Sequence, residues 1–570
     1  MAAIPRLAPP QVDKPAVWPF HKCEWKSLPA HLLLKGERRM EAETYLSSGY
    51  GLRLAIEERA VGWQRLGQMA DVWQPGRTKG VLVGEKHGEP WLAATQIFDQ
   101  RPIYRRWLAP EKIADASSLK VTPGMILVTR SGNVGRATLA TLTLEGVLVS
   151  DDLLRVVPND EAQSGWLYGY LRSTQARAMM RGVHYGHIIK HLEVGHLKGL
   201  PAPVVKPEIA AQFRDWKSQI EYDRNKAFTK SGEAEALFAN ALGSIGVSDW
   251  GETGFTISAA RLFNGSRRLD AWRYNPGARQ IEAHIHKKAK SVTLLRDSGY
   301  RIWIPNRYKR IEASDGVPYF DSSDLLEINP DCRKRFAECG FGDEFNGRVK
   351  PNWLLMPCSG QVYGIIGSVV LAGTAICDGA VSNHVLRMAP AGSGRRIREG
   401  FLATALSHPV FGRPLVKRLA FGSSVPEIDL GELKQFPVAR FGETVEDRIA
   451  ELAEDAAQLR ADADLIERGM ADEAGKLIDR FIAGDVAPFV VEMPAVSVRK
   501  SSASPSGPIP EHAIVRLKHG LKAAGLKVGA VGTVVHVYRA GAGYEVEFAG
   551  ATTKSKVVTL EPADIEVVHD

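Results

Sequence analysis

The stretch VTPGMILVTRSGNV at residues 121–134 returns as VKPNWLLMPCSGQV at residues 349–362. Each version runs from a proline turn through a short apolar run into Ser-Gly-x-Val, so a buried strand that empties into a glycine turn is expected twice. The register continues toward the N-terminus. Arg38-Arg39-Met40-Glu41-Ala42 is answered by Arg267-Arg268-Leu269-Asp270-Ala271, Tyr45 by Tyr274, and Trp73, Pro75, Arg77 and Lys79 by Trp303, Pro305, Arg307 and Lys309. It also continues toward the C-terminus. Val149-Ser150, Leu154-Arg155 and Pro158 match Val381-Ser382, Leu386-Arg387 and Pro390, and Tyr185-Gly186, Gly195, Leu197-Lys198 and Pro201 match Phe421-Gly422, Gly431, Leu433-Lys434 and Pro437. The offset drifts from about 229 to about 236 residues, as a few loop insertions in one copy produce, and the chain is read as a duplication.

Each copy is followed by a change of texture. From Glu443 to Gly484, Val445, Ile449, Leu452, Ala456, Leu459, Ala463, Ile466 and Met470 alternate steps of four and three, the seam of a coiled-coil helix. The segment after the first copy is weaker, with Phe213, Trp216, Ile220, Ala227, Ala234 and Leu237 in a similar register. Within the copies, short apolar runs broken by Gly and Pro read as strands, with a helix expected from Trp166 to Arg181. Residues 485–508 are rich in Pro and Ser and read as a linker, and the alternating strands with glycine turns after Ile509 suit a small β-barrel. The expected architecture is α+β. It comprises an N-terminal extension (1–37), a first domain (38–206), a helix (207–245), a second domain (246–442), a second helix (443–484), the linker and the barrel (509–570). The two helices are expected to pack antiparallel and to separate the domains.

The chain has 570 residues, and 44% of them are apolar, with 24% charged, which argues against wholesale disorder. No stretch approaches the roughly 20 apolar residues of a membrane span, and the N-terminal residues lack the pattern of a secretory signal. A cytoplasmic protein without a membrane partner is expected. Five cysteines without a C-x-x-C pair indicate neither a disulfide scaffold nor a zinc ribbon. The net charge of +8 is unevenly spread: residues 443–484 carry 12 acidic and 5 basic side chains, whereas residues 1–442 carry 59 basic and 44 acidic ones. Gathered on one face, that excess attracts a polyanion; scattered, it is an ordinary solvated surface.

There is no N-P-P-[YF] or D-P-P-[YF] for amine methylation, because Asn275-Pro276 is followed by glycine, and there is no phosphate loop, because Gly475-Lys476 runs into Leu477. His184, His187, His191 and His196 are close in sequence but have no accompanying cysteine or set of acidic residues, so a polar loop is preferred over a metal site. No catalytic residue and no metal ligand is assigned.

Two domains that open in R-[LM]-[DE]-A, carry the proline, apolar and Ser-Gly-x-Val segment, and close in L-x-x-[LF]-P before a long helix resemble the specificity subunit of type I restriction-modification systems. The resemblance covers roughly residues 38–484. It implies that each copy is a target-recognition domain reading one half of a bipartite site in double-stranded DNA. It further implies that the helices are a spacer on which two modification subunits dock, and that these methylate adenine with S-adenosylmethionine held in the partner rather than in this chain. A nuclease-translocase is a further partner of such systems. The barrel is not part of the usual subunit. The second copy departs from the pattern at Met356-Pro357-Cys358, where the first has Val128-Thr129-Arg130.

On this reading the turn Arg130-Ser131-Gly132-Asn133-Val134-Gly135-Arg136 presents Arg130, Asn133 and Arg136 outward to DNA, with Ser131 beside them and Ser359 and Gln361 as counterparts. Arg77 and Lys79, with Arg307, Lys309 and Arg310, follow a Trp-x-Pro corner and suit phosphate contacts. Arg181, His187 and Lys190 surround a second glycine loop, whose counterpart contains Ser423. The alternative is a non-catalytic assembly scaffold whose duplicated domains bind other proteins.

Overall fold

The computed structural model describes residues 45–490 and 509–568, apart from 46, 78, 183–190, 247–253, 264–267, 333, 342–346, 393, 510–512, 522–525, 539–542 and 549–555. The N-terminal extension, Arg38 to Ala42, Arg267, His184, His187 and Lys190 lie outside the described residues. Two compact units divide the chain, Met1–Glu492 and Met493–Asp570.

The first copy begins with helix α1 (Ser48–Glu57), capped by the Ser47 hydroxyl, which accepts from the Tyr50 N–H. Strands β1 (Trp63–Arg65), β2 (Ala70–Trp73), β3 (Glu89–Leu92), β4 (Ile126–Thr129), β5 (Ala137–Leu139), β6 (Leu148–Val149) and β7 (Leu153–Pro158) follow. Then come α2 (Ser164–Arg172), α3 (Thr174–Gly182), β8 (Pro201–Pro203) and the long α4 (Pro207–Leu242). The single helix expected from Trp166 to Arg181 is broken at Ser173. Its hydroxyl accepts from the Ala176 N–H at 3.1 Å, which starts α3 in a new direction.

The second copy repeats this order. It has α5 (Pro276–Lys288), β9 (Ser291–Leu294), β10 (Tyr300–Trp303), β11 (Glu312–Phe320), β12 (Leu354–Pro357), β13 (Val370–Leu371), β14 (Ala380–Val381) and β15 (Val385–Pro390). These lead to α6 (Glu399–Ser407), α7 (Arg413–Lys417), β16 (Pro437–Arg440) and α8 (Glu443–Ala483).

The sheets have the same topology twice. A four-stranded antiparallel sheet runs β2-β7-β4-β5 in the first copy and β10-β15-β12-β13 in the second. An antiparallel pair closes each copy, β1 with β8 and β9 with β16, and a parallel pair, β3 with β6 and β11 with β14, flanks it. The matched arginines explain why sequence and topology repeat together. Arg155 is fully buried and donates to the carbonyls of Val149, Ser150 and Leu153; Arg387 does the same to Val381, Ser382 and Val385. A guanidinium spends its donors on a turn whose carbonyls would otherwise be orphaned.

The helices α4 and α8 pack antiparallel. Lys230 meets Asp455, Arg460 meets Ser231, and Arg224 meets Asp464 and Glu467, so numbers rise on one helix as they fall on the other. The first copy's core takes Ala210, Phe213 and Ile220 from α4 and Ala463 to Phe481 from α8. The second takes Ala234, Phe238 and Leu242 from α4 and Ile449, Ala450 and Leu452 from α8. The seam of α4 is more regular than its apolar residues show. Phe213, Lys217, Ile220, Arg224, Ala227, Ser231, Ala234 and Phe238 are all buried, in alternating steps of four and three. Three of these core positions are polar, which is why the pattern looks weak to a hydrophobicity reading and why the pairing has a defined register.

In the second unit, β17 (Ile514–Leu517), β18 (Val531–Tyr538), β19 (Gly543–Phe548), β20 (Lys556–Leu560) and β21 (Ile565–Val567) form one antiparallel sheet in the order β20-β19-β18-β17-β21. Alternate residues Val515, Leu517, Tyr544, Val546 and Phe548 make its core. Among the described residues no ladder joins the two outer strands.

Candidate nucleic-acid interface

The repeated Ser-Gly turn is built first from its own copy. After β4, Gly132 and Gly135 adopt φ of 69° and 75°, so the chain reverses within the turn at positions that a side chain would strain. Leu192 N–H donates to the Arg130 carbonyl at 2.9 Å, which ties the turn to the segment before β8. The Ser131 hydroxyl donates to Asp152 at 2.8 Å and lies 2.7 Å from His191 Nδ1. Arg130 reaches Asp152 and Glu193. In the second copy Ser359 lies 2.9 Å from His384 Nδ1, and Gln361 donates to the Ser424 carbonyl at 3.2 Å.

The turn then meets the other copy. Asp99 bridges Glu327, with Gln100 N–H donating to the Leu326 carbonyl at 2.8 Å and Ile328 N–H to the Phe98 carbonyl at 2.6 Å. These segments are equivalent in the two copies, so the junction has an approximate twofold character. Arg136 crosses it: Nη1 pairs with Glu327 at 2.7 Å, Nη2 donates to the Ile328 and Asn329 carbonyls, and the guanidinium stacks on Phe98 at 3.7 Å. Arg177 of α3 holds Asp331 of the second copy through two bonds of 2.7 and 2.6 Å, and Asn133 donates to the same carboxylate at 2.8 Å. Burial opposes ionisation of Asp331, but the bonds and charge of Arg177 outweigh it and hold the carboxyl well below the usual range.

Behind this junction lies a buried polar node. Glu467 is 1% exposed and accepts from both Arg224 Nη atoms at 3.0 Å, from Asn329 at 2.6 Å and from the Tyr168 hydroxyl. Arg172 pairs with it at 3.3 Å. The first copy, both helices and the second copy thus meet at one carboxylate.

The expectation that Arg136 faces outward is corrected: it is 6% exposed because the second copy packs over it and supplies its carboxylate. Arg130 and Asn133 are half-buried and already engaged, Asn133 accepting from Arg177 at 2.8 Å and Arg181 at 3.2 Å. Arg77, Lys79, Arg307, Lys309 and Ser423 are exposed, and exposed Arg310 donates to Asn383 at 3.0 Å. Ser131, Ser359 and Gln361 sit at the turns as described. The residues that the sequence reading missed are the junction carboxylates Glu327 and Asp331 and the helix cations Arg177, Arg413 and Lys417. The same spacing of Arg177 to Arg181 and Arg413 to Lys417 in the two copies was the available signal. Among the described residues no cluster of His, Cys, Asp and Glu is arranged to hold a metal, and no helix is long and apolar enough to cross a membrane.

Asp99 carries a pH dependence. Burial foremost, then the Glu327 charge, pushes its carboxyl up to about 7 against the opposing pull of Arg105 and Arg136. A folded value above the unfolded one means that its stabilising contribution is present below about pH 4 and is lost as pH rises through about 7. The urea midpoint should therefore fall between pH 5 and pH 8, with at most about 1.4 kcal/mol per pH unit from this group. Asp99→Asn should flatten that slope, and an unchanged slope in the variant would remove Asp99 as its source.

Comparison with known proteins gives three findings. Residues 511–567 match the model of a domain of unknown function (DUF4926). No curated protein matches the sequence. Solved structures align with it at low identity. The type I restriction-modification S subunit from M. genitalium is 13% identical over 77% of this chain and 98% of its own, with a TM-score of 0.30. The HsdS subunit from Thermoanaerobacter tengcongensis is 13% identical over 74% of this chain and 97% of its own, with a TM-score of 0.22. The type IIG restriction endonuclease BpuSI is 14% identical over 31% of this chain and 28% of its own, with a TM-score of 0.23.

Proposed function

We propose that this chain is the DNA sequence-specificity subunit of a type I-like restriction-modification or related phage-defence system, working in the cytoplasm. It reads a bipartite duplex site, one half with each copy, and positions a partner adenine methyltransferase. The observation that supports this most is the duplication in space. One fold, with one buried arginine device, occurs twice and is seated at opposite ends of an antiparallel helix pair. Helices of 36 and 41 residues run about 54 and about 62 Å at roughly 1.5 Å per residue. That exceeds the roughly 34–36 Å of one turn of B-DNA, which suits two half-sites with a gap between them.

Exposed Arg77, Lys79, Arg307, Lys309 and Arg310 are assigned to phosphates, which fix register without reading sequence. The turn residues Ser131, Ser359, Gln361 and Ser423, with Arg130, Asn133 and Arg181 at the rim of the first turn, are assigned to the base-reading side. Two modification subunits dock on the helix pair and bring S-adenosylmethionine with them; a nuclease-translocase joins the same assembly. The methyltransferase partner comes from the motif resemblance.

Methylome sequencing of cells with and without the chain should reveal one gapped site. Affinity for that duplex, measured with the methyltransferase present, should fall steeply as salt rises from about 50 to about 200 mM, because phosphate neutralisation releases counterions. Exchanging residues 38–206 for another recognition domain should change one half of the site only. Salt-independent affinity, or a change in both halves, would contradict the assignment.

A further inference from the structure

The approximate twofold relation between the copies is broken in its charges. In the first copy α3 presents Arg177 and Arg181; at the same positions of the second, α7 presents Arg413 and Lys417. Both arginines lie on the Ser-Gly turn of their own copy. Arg177 Nη2 donates to Asn133 Oδ1 at 2.8 Å, and Arg413 donates to the Gly364 carbonyl at 2.5 Å and the Ile366 carbonyl at 3.4 Å.

The segment arriving from the opposite copy differs. To α3 the second copy brings Asp331, which neutralises Arg177. In the duplication the short turns Gln96–Phe98 and Asp324–Leu326 correspond, so Asp99 answers to Glu327, Pro102 to Pro330 and Ile103 to Asp331, and exposed Arg105 follows two positions later. Three cations therefore share the place where the other half of the junction has an ion pair. Among the described residues Arg105, Arg413 and Lys417 make no ion pair with a carboxylate. Burial foremost, then the charges of Arg413 and Arg105, pushes the Lys417 amine down to about 8. The carboxyl that Arg105 does influence, Asp99, is itself pushed up to about 7.

We propose that Arg105, Arg413 and Lys417 form a phosphate-binding site at the junction of the two copies, where a bound anion takes the part that Asp331 plays on the other side. Forked guanidinium groups and an ammonium converging from two segments suit a tetrahedral anion better than a single cation does. The phosphate comes either from the DNA backbone between the half-sites, in which case the proposal rests on the function given above, or from a free polyphosphate.

The test labels the amines of the full chain at pH 8 with an acetylating reagent and reads Lys417 by mass spectrometry. The two probes are inorganic pyrophosphate and the target duplex. At least one should slow Lys417 labelling by about fivefold or more, as a charge-assisted contact that covers the amine does. Ile103→Asp, which supplies the missing carboxylate, should keep or raise the melting temperature and abolish the protection. If the duplex is the source, Lys417→Gln should reduce the slope of log affinity against log salt by about 1.

Protection by neither probe, or protection that persists in folded Ile103→Asp, would overturn the site. So would tight duplex binding that leaves Lys417 labelled and the slope unchanged in Lys417→Gln, while pyrophosphate also fails to protect; DNA recognition itself would then stand. Protection by pyrophosphate in a chain with no affinity for duplex supports the site and removes the DNA reading.

Discussion

Arg224→Met should lower the stability of the first unit by roughly 3–5 kcal/mol, the range for stripping one partner from a buried ion pair. Arg224 donates to Glu467 twice and to Asp464 once, and all three residues are buried in the helix seam. Burial works against ionisation of Glu467, but the charges of Arg172 and Arg224 outweigh it and hold its carboxyl well below the usual range. Without Arg224, Glu467 keeps Arg172, whereas buried Asp464 loses its ion pair and keeps the Asn329 N–H. Removing the charges together, as in Arg224→Met with Glu467→Met, should recover part of the loss, because apolar side chains of similar volume avoid the desolvation cost. Urea unfolding of the three proteins measures this. A double variant no more stable than Arg224→Met would show that the node's worth lies in its hydrogen bonds to Tyr168 and Asn329 rather than in charge pairing.

Gly165→Ala and Gly400→Ala should each unseat one copy. The glycines are equivalent in the duplication: Gly165 lies where α2 crosses α4, and Gly400 where α6 crosses α8. A Cβ on Gly165 would stand 2.2 Å from the Phe213 carbonyl carbon and 2.3 Å from the Arg214 nitrogen; on Gly400 it would stand 2.3 Å from the Ala450 carbonyl oxygen. These are backbone atoms of long helices, which cannot step aside as a side chain can. The expected cost is about 1–3 kcal/mol or more from overpacking, against a helix-propensity gain of at most about 1 kcal/mol. Gly51→Ala is the control, because its Cβ would meet nothing within 4 Å. Gly51→Ala should therefore be neutral or slightly stabilising, and melting temperatures of the three variants check the contrast. If each copy reads its own half-site, Gly165→Ala should weaken contact with one half more than the other. An equal loss at both halves would argue that the helix pair, and not the individual seat, sets recognition.

Much of the fold was legible because its instructions are local. Arg155 and Arg387 bind carbonyls no more than six residues away, so the Val-Ser and Leu-Arg spacing that builds the turn survives as a visible repeat. The apolar run of β4 recurs in β12 for the same reason, since a strand buried on both faces needs an unbroken apolar stretch. The seam of α8 showed through its Ala and Ile steps. That of α4 did so only partly, because Lys217, Arg224 and Ser231 occupy core positions that a polarity reading assigns to the surface. The candidate site was less legible. The Ser-Gly turn was found, but the direction of its arginines was not.

The amino-acid order alone determined that the chain carries one domain twice, each copy followed by a long amphipathic helix, with a small β module after the linker. Spacing along the chain encodes those features directly. Tertiary packing decided which cations remain free to meet an anion. Arg136 and Arg177 look as available as Arg77 or Lys417 until the second copy folds against them and brings Glu327 and Asp331 within bonding distance. Charge neutralisation falls off steeply with separation in space and has no dependence on separation in sequence. Only the folded junction could show that one half is paired and the other is left with three positive charges.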